Sequence, residues 1–392
     1  MSVLKNYYKA DPKCRRVFLT NMVWKGWRGF RKFKKRKEKG LLFPAYQFIS
    51  VTNECNLKCQ GCWIHSNGQK DTLDIGKIHD VIAAGKRQGS YFFGILGGEP
   101  LLYPSLFEIF EKHKDCYFQL FTNGTLFTDE MAKRLCRTAN VTPLFSFEGD
   151  EQAADIRRGG HNIYNRSMQS IRTSVKNGLI TGVAVSVCQS NIGMALSDNF
   201  VQMMHDNGVL YLWYYIYRPA GENPCYDLVL TGEDIHRLRK FLVEGRTKYP
   251  VALIDSYWRE NGEPFCPAAE GLSHHINPEG YLEPCPVIQL SHDRINGNDT
   301  VKVFENSTFL RDFRKEILQK TKGCVLMEDP VWLKSFAEKH QAVNTSNRSG
   351  MLIDLANAPA VKSHGSCPNI PEKSIIYRLA KRIAFFGMGA YG

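Results

Sequence analysis

The sequence predicts an α/β fold, an open, partial (βα)6 barrel with a small C-terminal extension. Three observations carry this. Six short apolar β-type runs alternate with six helical patterns, as in a parallel sheet covered by helices. Six units fall short of the eight that close a full barrel. The 392 residues, 43% of them hydrophobic, can build one barrel and leave over a smaller second unit.

In chain order, an arm comes first. Residues 1–45 hold fourteen Lys/Arg against two Asp/Glu, and the remaining 37 basic and 37 acidic residues cancel, so the net charge of +12 sits on the arm. A neutral body with a basic arm does not resemble a basic catalytic face for nucleic acid, so no nucleic-acid partner is expected. It suits an arm that meets something anionic. Trp24, Trp27, Phe30 and Phe33 interleave with Lys25, Arg28, Arg31, Lys32 and the run from Lys34 to Lys37. That pattern fits a lipid headgroup region, and equally a solvated basic helix whose aromatics fold onto the body.

Strands are expected at 46–52, 91–96, 117–121, 141–147, 182–187 and 209–217, and helices at 75–88, 105–114, 128–136, 164–177, 197–207 and 232–245. Tyr211, Trp213, Tyr215 and Tyr217 alternate along the sixth strand, with Tyr214 on its other face, and are expected chiefly to fill the barrel. Residues 340–366 read as a loop or linker. Near the C-terminus Ile375, Ile376, Leu379, Ile383 and Phe386 recur at helical spacing, with Arg378, Lys381 and Arg382 at other angles. This amphipathic basic helix could cap the domain or lie on a membrane. The expected units are therefore 1–45, 46–245, 246–370 and 371–392. No apolar run is long enough to span a bilayer, and no secretory signal is recognisable at the start. The expected compartment is the cytoplasm, with peripheral association at the inner face of the membrane.

Twelve cysteines without an export signal point to metal rather than disulfides. Cys55, Cys59 and Cys62 lie within eight residues, directly after the first strand. Three thiolates can hold a four-iron cubane and leave one iron without a protein ligand, an open position for chemistry. A structural zinc with His65 as fourth ligand is the alternative that the spacing leaves open. Cys14, Cys116, Cys136, Cys188 and Cys225 lack ligand spacing and read as packing residues, with Cys188 at a strand end where a substrate pocket would lie.

Further short motifs follow in order: Gly97-Gly98-Glu99-Pro100 after the second strand, Thr122-Asn123-Gly124 after the third, Ser146-Phe147-Glu148-Gly149 after the fourth, then Arg158-Gly159. Glycines 97 and 98 would let backbone approach a ligand, with Glu99 placed to receive an ammonium. With the Cys-x3-Cys-x2-Cys loop, this series resembles the radical S-adenosylmethionine (radical SAM) superfamily over about residues 45–245. The resemblance implies a [4Fe–4S] cluster on Cys55, Cys59 and Cys62, which by reductive cleavage of S-adenosylmethionine starts radical chemistry through a 5′-deoxyadenosyl radical. It implies cofactor contacts from Gly97, Gly98, Glu99, Pro100, Asn123, Ser146 and Arg158. An external one-electron donor such as flavodoxin or ferredoxin would be the partner. The chain departs from the family at Gly61, where an aromatic usually precedes the third cysteine and contacts adenine. Trp63 is the nearby substitute, or a core residue. A second departure is Glu148, where the family typically has Asp.

Cys266, Gly280 and Cys285, separated by thirteen and four residues, form a second set on an expected hairpin with its turn at 278–280. This resembles the start of SPASM and twitch extensions, without the dense downstream cysteine group of a full SPASM domain. It implies one auxiliary cluster on Cys266, Cys285, Cys324 and Cys367. His274 and His275 on the same hairpin are expected at the surface. The expected substrate is a small molecule, a lipid or a peptide. The arm favours a membrane- or lipid-associated one, a peptide-modifying maturase is the alternative, and a non-catalytic iron–sulfur electron carrier is a further one.

Overall fold

The computed structural model describes residues 4–64, 70–221, 223–297, 299–346 and 348–383; His65 and Phe386 lie outside them. The strands β1 (Tyr46–Ser50), β2 (Phe92–Leu96), β3 (Tyr117–Thr122), β4 (Val141–Ser146), β5 (Gly182–Val187) and β6 (Tyr211–Ile216) lie side by side and parallel in that order. The sheet then runs past the six expected strands at both edges. β7 (Ala252–Ile254) adds parallel to β6, β8 (Ser273–Ile276) parallel to β1, and β9 (Leu282–Glu283) antiparallel to β8. β7 and β9 end the strand order, so the sheet stays open as a partial barrel.

Helices α1 (Leu4–Lys9), α2 (Pro12–Val17) and α3 (Lys25–Glu38) precede the sheet, with a π-helical stretch Phe18–Trp24 between the last two. The covering helices are α4 (Ile75–Gln88), α5 (Leu106–Lys112), α6 (Asp129–Thr138), α7 (Glu151–Arg158), α8 (Ile163–Lys176), α9 (Ile192–Ala195), α10 (Asp198–Asp206) and α11 (Gly232–Lys248). Their starts carry the capping residues that satisfy first-turn N–H groups. Asp74, Thr128, Asp150 and Ser197 each accept one, and Thr231 with Asp234 forms a capping box.

Side chains alternate across each strand. Outward residues such as Phe93, Ile95, Phe118, Val183, Val185 and Tyr214 pack under the helices. Inward residues Tyr46, Phe48, Phe92, Tyr117, Leu144, Tyr211, Trp213 and Tyr215 fill the barrel. The tyrosines and tryptophan of β6 therefore do what their alternation suggested.

The arm closes the floor of the barrel. Asn6 donates to the carbonyls of His205 and Val209, Asn21 to those of Lys114 and Cys116, and Arg36 to that of Gln88, all just ahead of strands. Met22 and Phe33 are buried in the same cluster as the barrel interior. Of the two readings left open for the arm, its aromatics fold onto the body, while Trp24 stays exposed. Cys14 and Cys136 meet at this seam with their Sγ atoms 3.8 Å apart.

Beyond β9 come β10 (Leu290–Ser291), α12 (Thr300–Asn306), α13 (Thr308–Lys320), α14 (Val325–Glu328), α15 (Pro330–Lys339), β11 (Val343–Asn344), α16 (Met351–Asn357) and α17 (Ile375–Ile383). The expected loop at 340–366 thus contains a strand paired with β10 and a helix anchored by buried Met351 and Leu355. α17 docks against β7, where the Tyr377 hydroxyl accepts the Leu253 N–H at 3.0 Å. Beneath it Asp255 and Glu372 are buried with Arg239, Arg246 and Lys381. Its outer face leaves Ile375, Ile376 and Leu379 exposed.

Candidate functional site

The cysteine loop, the turn after β2, the turn after β3 and the loop after β4 all lie at the C-terminal ends of parallel strands, where α/β sheets carry their sites. The arm sits at the opposite rim. Backbone bonds tie the first two loops together: Gly98 N–H donates to Thr52 O and Glu99 N–H to Glu54 O, both at 2.8 Å. A Cβ on Gly97 or Gly98 would collide with the backbone of residues 52–54. These glycines permit a close approach to the chain's own cysteine loop.

Glu99 is fully buried and holds the neighbouring turn. Its carboxylate accepts the N–H groups of Leu101 (3.0 Å) and Asn123 (2.8 Å) and the Thr122 hydroxyl (2.8 Å). Burial pushes its pKa up to about 6 against these three donors, so it is ionised at neutral pH. Pro100 opens the short 3-10 turn Pro100–Leu102. Asn123 reaches the cysteine loop, with its amide 2.9 Å from Asn56 Oδ1 and 4.0 Å from Cys55 Sγ. Ser146 ends β4 on the barrel-facing side, two residues on from Leu144.

Arg158 is half-buried at the end of α7 and donates to Glu148 Oε1 at 2.6 Å, with another guanidinium nitrogen 3.8 Å from Cys59 Sγ. Burial opposes its charge, but Glu148 and the thiols of Cys59 and Cys62 hold it. Glu148 also pairs with Arg157 at 3.4 Å, and Arg157 contacts the Gln60 carbonyl. Sequence reasoning treated Glu148 as a departure from a motif and overlooked Arg157; together they fasten α7 to the cysteine loop. Burial pushes the thiols of Cys55 and Cys62 up to about 11 and 12. As free thiols they are therefore protonated, and a metal has to displace those protons.

Gly61 has φ of 66°, and a Cβ there would overlap the phenol of Tyr217. The space left by the missing side chain is thus taken by an aromatic ring from the end of β6, buried under the Arg157 guanidinium. Trp63 instead stands edge-on to the His275 ring at 5.5 Å.

His274 and His275 are buried, not at the surface as expected, because β8 pairs with β1 on one side and β9 on the other. His275 bridges Ser50 Oγ (2.7 Å) and Glu283 Oε2 (2.6 Å). Ser50, His275 and Glu283 have no exposed surface, so this relay is a strut between strands and no substrate reaches its hydroxyl.

The hairpin brings the second cysteine set together. Cys266, Cys285 and Cys324 interact electrostatically with one another, and burial, followed by Cys324 and Cys266, raises the Cys285 thiol. Cys367 is buried too, but the charge acting on it is Arg239, and its thiol contacts the Pro368 carbonyl at 3.5 Å.

Residues 49–194 match the family model of the radical SAM superfamily. This stretch is a radical SAM domain. A mycofactocin maturase, MftC of Mycobacterium tuberculosis, is 25% identical over 297 residues, 71% of this chain and 74% of that protein. A probable GTP 3′,8-cyclase of Methanococcus maripaludis is 28% identical over 292 residues, 65% of this chain and 91% of that protein. The crystal structure of Streptococcus suis SuiB bound to its precursor peptide SuiA superimposes with a TM-score of 0.61 at 16% identity, covering 72% of this chain and 70% of SuiB. The radical SAM domain of this chain uses a [4Fe–4S] cluster and S-adenosylmethionine.

Proposed function

We propose that this radical SAM enzyme modifies a peptide, with Cys55, Cys59 and Cys62 holding the cluster that binds S-adenosylmethionine and Cys266, Cys285 and Cys324 holding an auxiliary one. The observation that carries the first part is the loop's anchoring: amide and guanidinium N–H groups of Asn123 and Arg158 point at the sulfurs of Cys55 and Cys59. Such donors stabilise thiolates bound to iron and tune the cluster. Bound there, the cluster and S-adenosylmethionine supply the electron and the 5′-deoxyadenosyl radical. The protein's part is placement and exclusion of water. Gly97, Gly98 and Pro100 shape the turn over the cysteine loop. Glu99, ionised and buried, supports an ammonium at that turn, and Arg158 faces a carboxylate. Ser146 would offer a hydroxyl to a ribose, and Tyr217 would provide the aromatic ring beside the cysteine loop at Gly61.

The peptide class is supported by the similarity to a mycofactocin maturase, which runs beyond the matched domain into the second cysteine set. We leave Cys367, whose thiol donates to the Pro368 carbonyl, out of the auxiliary ligand set, so that three thiolates would hold that cluster as well. The units are an arm at 1–45 that acts as a floor, a barrel at 46–245, an auxiliary-cluster region at 246–370 and a C-terminal unit at 371–392 that includes the docking helix α17. The test is to add the peptide fraction or the lipid extract of the producing cells to reduced enzyme and follow 5′-deoxyadenosine. Stimulation by peptides is expected; stimulation by lipids alone would overturn the peptide class.

One observation favours a membrane-associated setting for this chemistry. Ile375 and Ile376 are 69% and 77% exposed on α17, beside Arg378 and Arg382, and Trp24 is 55% exposed on the basic arm. Apolar residues among cations suit an anionic lipid surface at the inner face of the membrane. The enzyme is expected to float with anionic vesicles and to stop floating when Ile375, Ile376 and Leu379 are changed to Ser.

A further inference from the structure

Resting on the auxiliary-cluster reading, we propose that Arg218 is the buried counter-charge of the second cluster and sets its reduction potential. Arg218 follows Tyr217 directly at the end of β6. Successive residues of an extended chain point to opposite sides, so Tyr217 lies over Gly61 in the first cysteine loop while Arg218 turns the other way, to the Tyr257 hydroxyl.

The case is one of unbalanced charge. Arg218 is 92% buried, with a relative exposure of 8%. Its hydrogen-bond partners are neutral: the Ile216 carbonyl at 3.3 Å and the Tyr257 hydroxyl at 3.5 Å, with its guanidinium 5.2 Å from the centre of the Tyr257 ring. Among the described residues it forms no ion pair with a carboxylate. The nearby buried carboxylates are committed elsewhere: Asp255 to Arg246, Arg239 and Lys381, and Glu372 to Arg246, Arg239 and Lys381. His364, whose ring lies 4.8 Å from Tyr257, is held neutral by burial and by Arg218 itself. A buried cation without an anion is costly. The groups left to balance it are the thiols. Its partner Tyr257 leads to them: the N–H of Phe265, next to Cys266, donates to the Tyr257 carbonyl at 2.9 Å, and the Cys324 N–H donates to Ser363 Oγ at 2.9 Å, beside His364.

Three thiolates carrying an iron–sulfur cluster would supply that negative charge. In return a fixed guanidinium would stabilise the more negative, reduced state of the cluster and so raise its potential. The arginine cannot lose its proton in the working pH range, so its effect is constant.

The experiment uses the full chain with Cys55, Cys59 and Cys62 changed to Ala, which leaves the second set as the sole cluster site. Iron per chain and the midpoint potential, followed by electron paramagnetic resonance during redox titration, are compared for Arg218, Arg218→Lys and Arg218→Gln, with circular dichroism melting as the folding check. A shift to more negative potential or a loss of iron is expected in Arg218→Gln and not in Arg218→Lys. Equal potentials and iron content in all three overturn the inference alone, as does a defect shared by the Lys and Gln variants. Absence of iron in the parent protein overturns the auxiliary-cluster reading together with it.

Discussion

Gly61 and Tyr217 illustrate how one residue's absence is another's position. Gly61→Ala places a Cβ on the Tyr217 phenol in a left-handed backbone conformation, so both strain and overlap oppose it. A cost of about 1–3 kcal/mol is expected, read as a lower melting temperature and a lower iron content after reconstitution. Glu148 is the sharper case. Glu148→Gln leaves Arg157 buried and Arg158 half-buried beside a neutral amide, and breaking a buried pair costs about 3–5 kcal/mol. Glu148→Asp, which keeps the charge and matches the usual family residue, should lose less, with denaturant midpoints separating the two. At this scale the sequence revealed the three loop cysteines and the order of the short motifs, because those signals are local. Tyr217 and Arg157 were hidden because their importance comes from contacts across the barrel. His275 was misjudged because its burial comes from β8 joining the sheet edge beside β1, which a hairpin pattern does not disclose.

Among the elements, the six-fold alternation was legible because each strand is five or six residues long and apolar. α7 was missed because eight residues with an exposed Ile156 give too little periodicity. β7, three residues long, gives less still. The arm makes a direct prediction. Deleting residues 1–38 would strip Met22 and Phe33 from the barrel floor, so the truncated protein should aggregate or melt early whether or not it binds lipid. Trp24→Ala, at the arm's exposed face, should leave the melting temperature unchanged. The seat of α17 should respond to acid. Against the pull of burial, Lys381, Arg246 and Arg239 hold Asp255 below the ordinary carboxylate range, and Arg246, Lys381 and Arg239 do the same for Glu372. Groups with depressed folded values contribute fully above the unfolded pKa near 4 and lose that contribution as the pH falls. The protection of α17 amides in the apoprotein, as exchange relative to the intrinsic rate at each pH, should therefore fall below about pH 4 and stay flat from pH 5 to 7; unchanged protection on acidification would contradict the lock.

Across the molecule, chemistry and support occupy opposite rims of one open sheet. The loops at the C-terminal strand ends gather the first cysteine set and its companion motifs, and the basic arm plugs the other end. Every role assigned above depends on Cys55, Cys59 and Cys62 jointly presenting a cluster with one iron free for S-adenosylmethionine. The most direct measurement is 5′-deoxyadenosine and methionine released by anaerobically reconstituted, dithionite-reduced protein, beside the Cys59→Ala variant with its second set intact. Equal amounts of both products from the native protein and none from the variant are expected. Zinc in place of iron at that loop, or a reduced cluster that leaves S-adenosylmethionine uncut in the presence of the stimulating cell fraction, would contradict it.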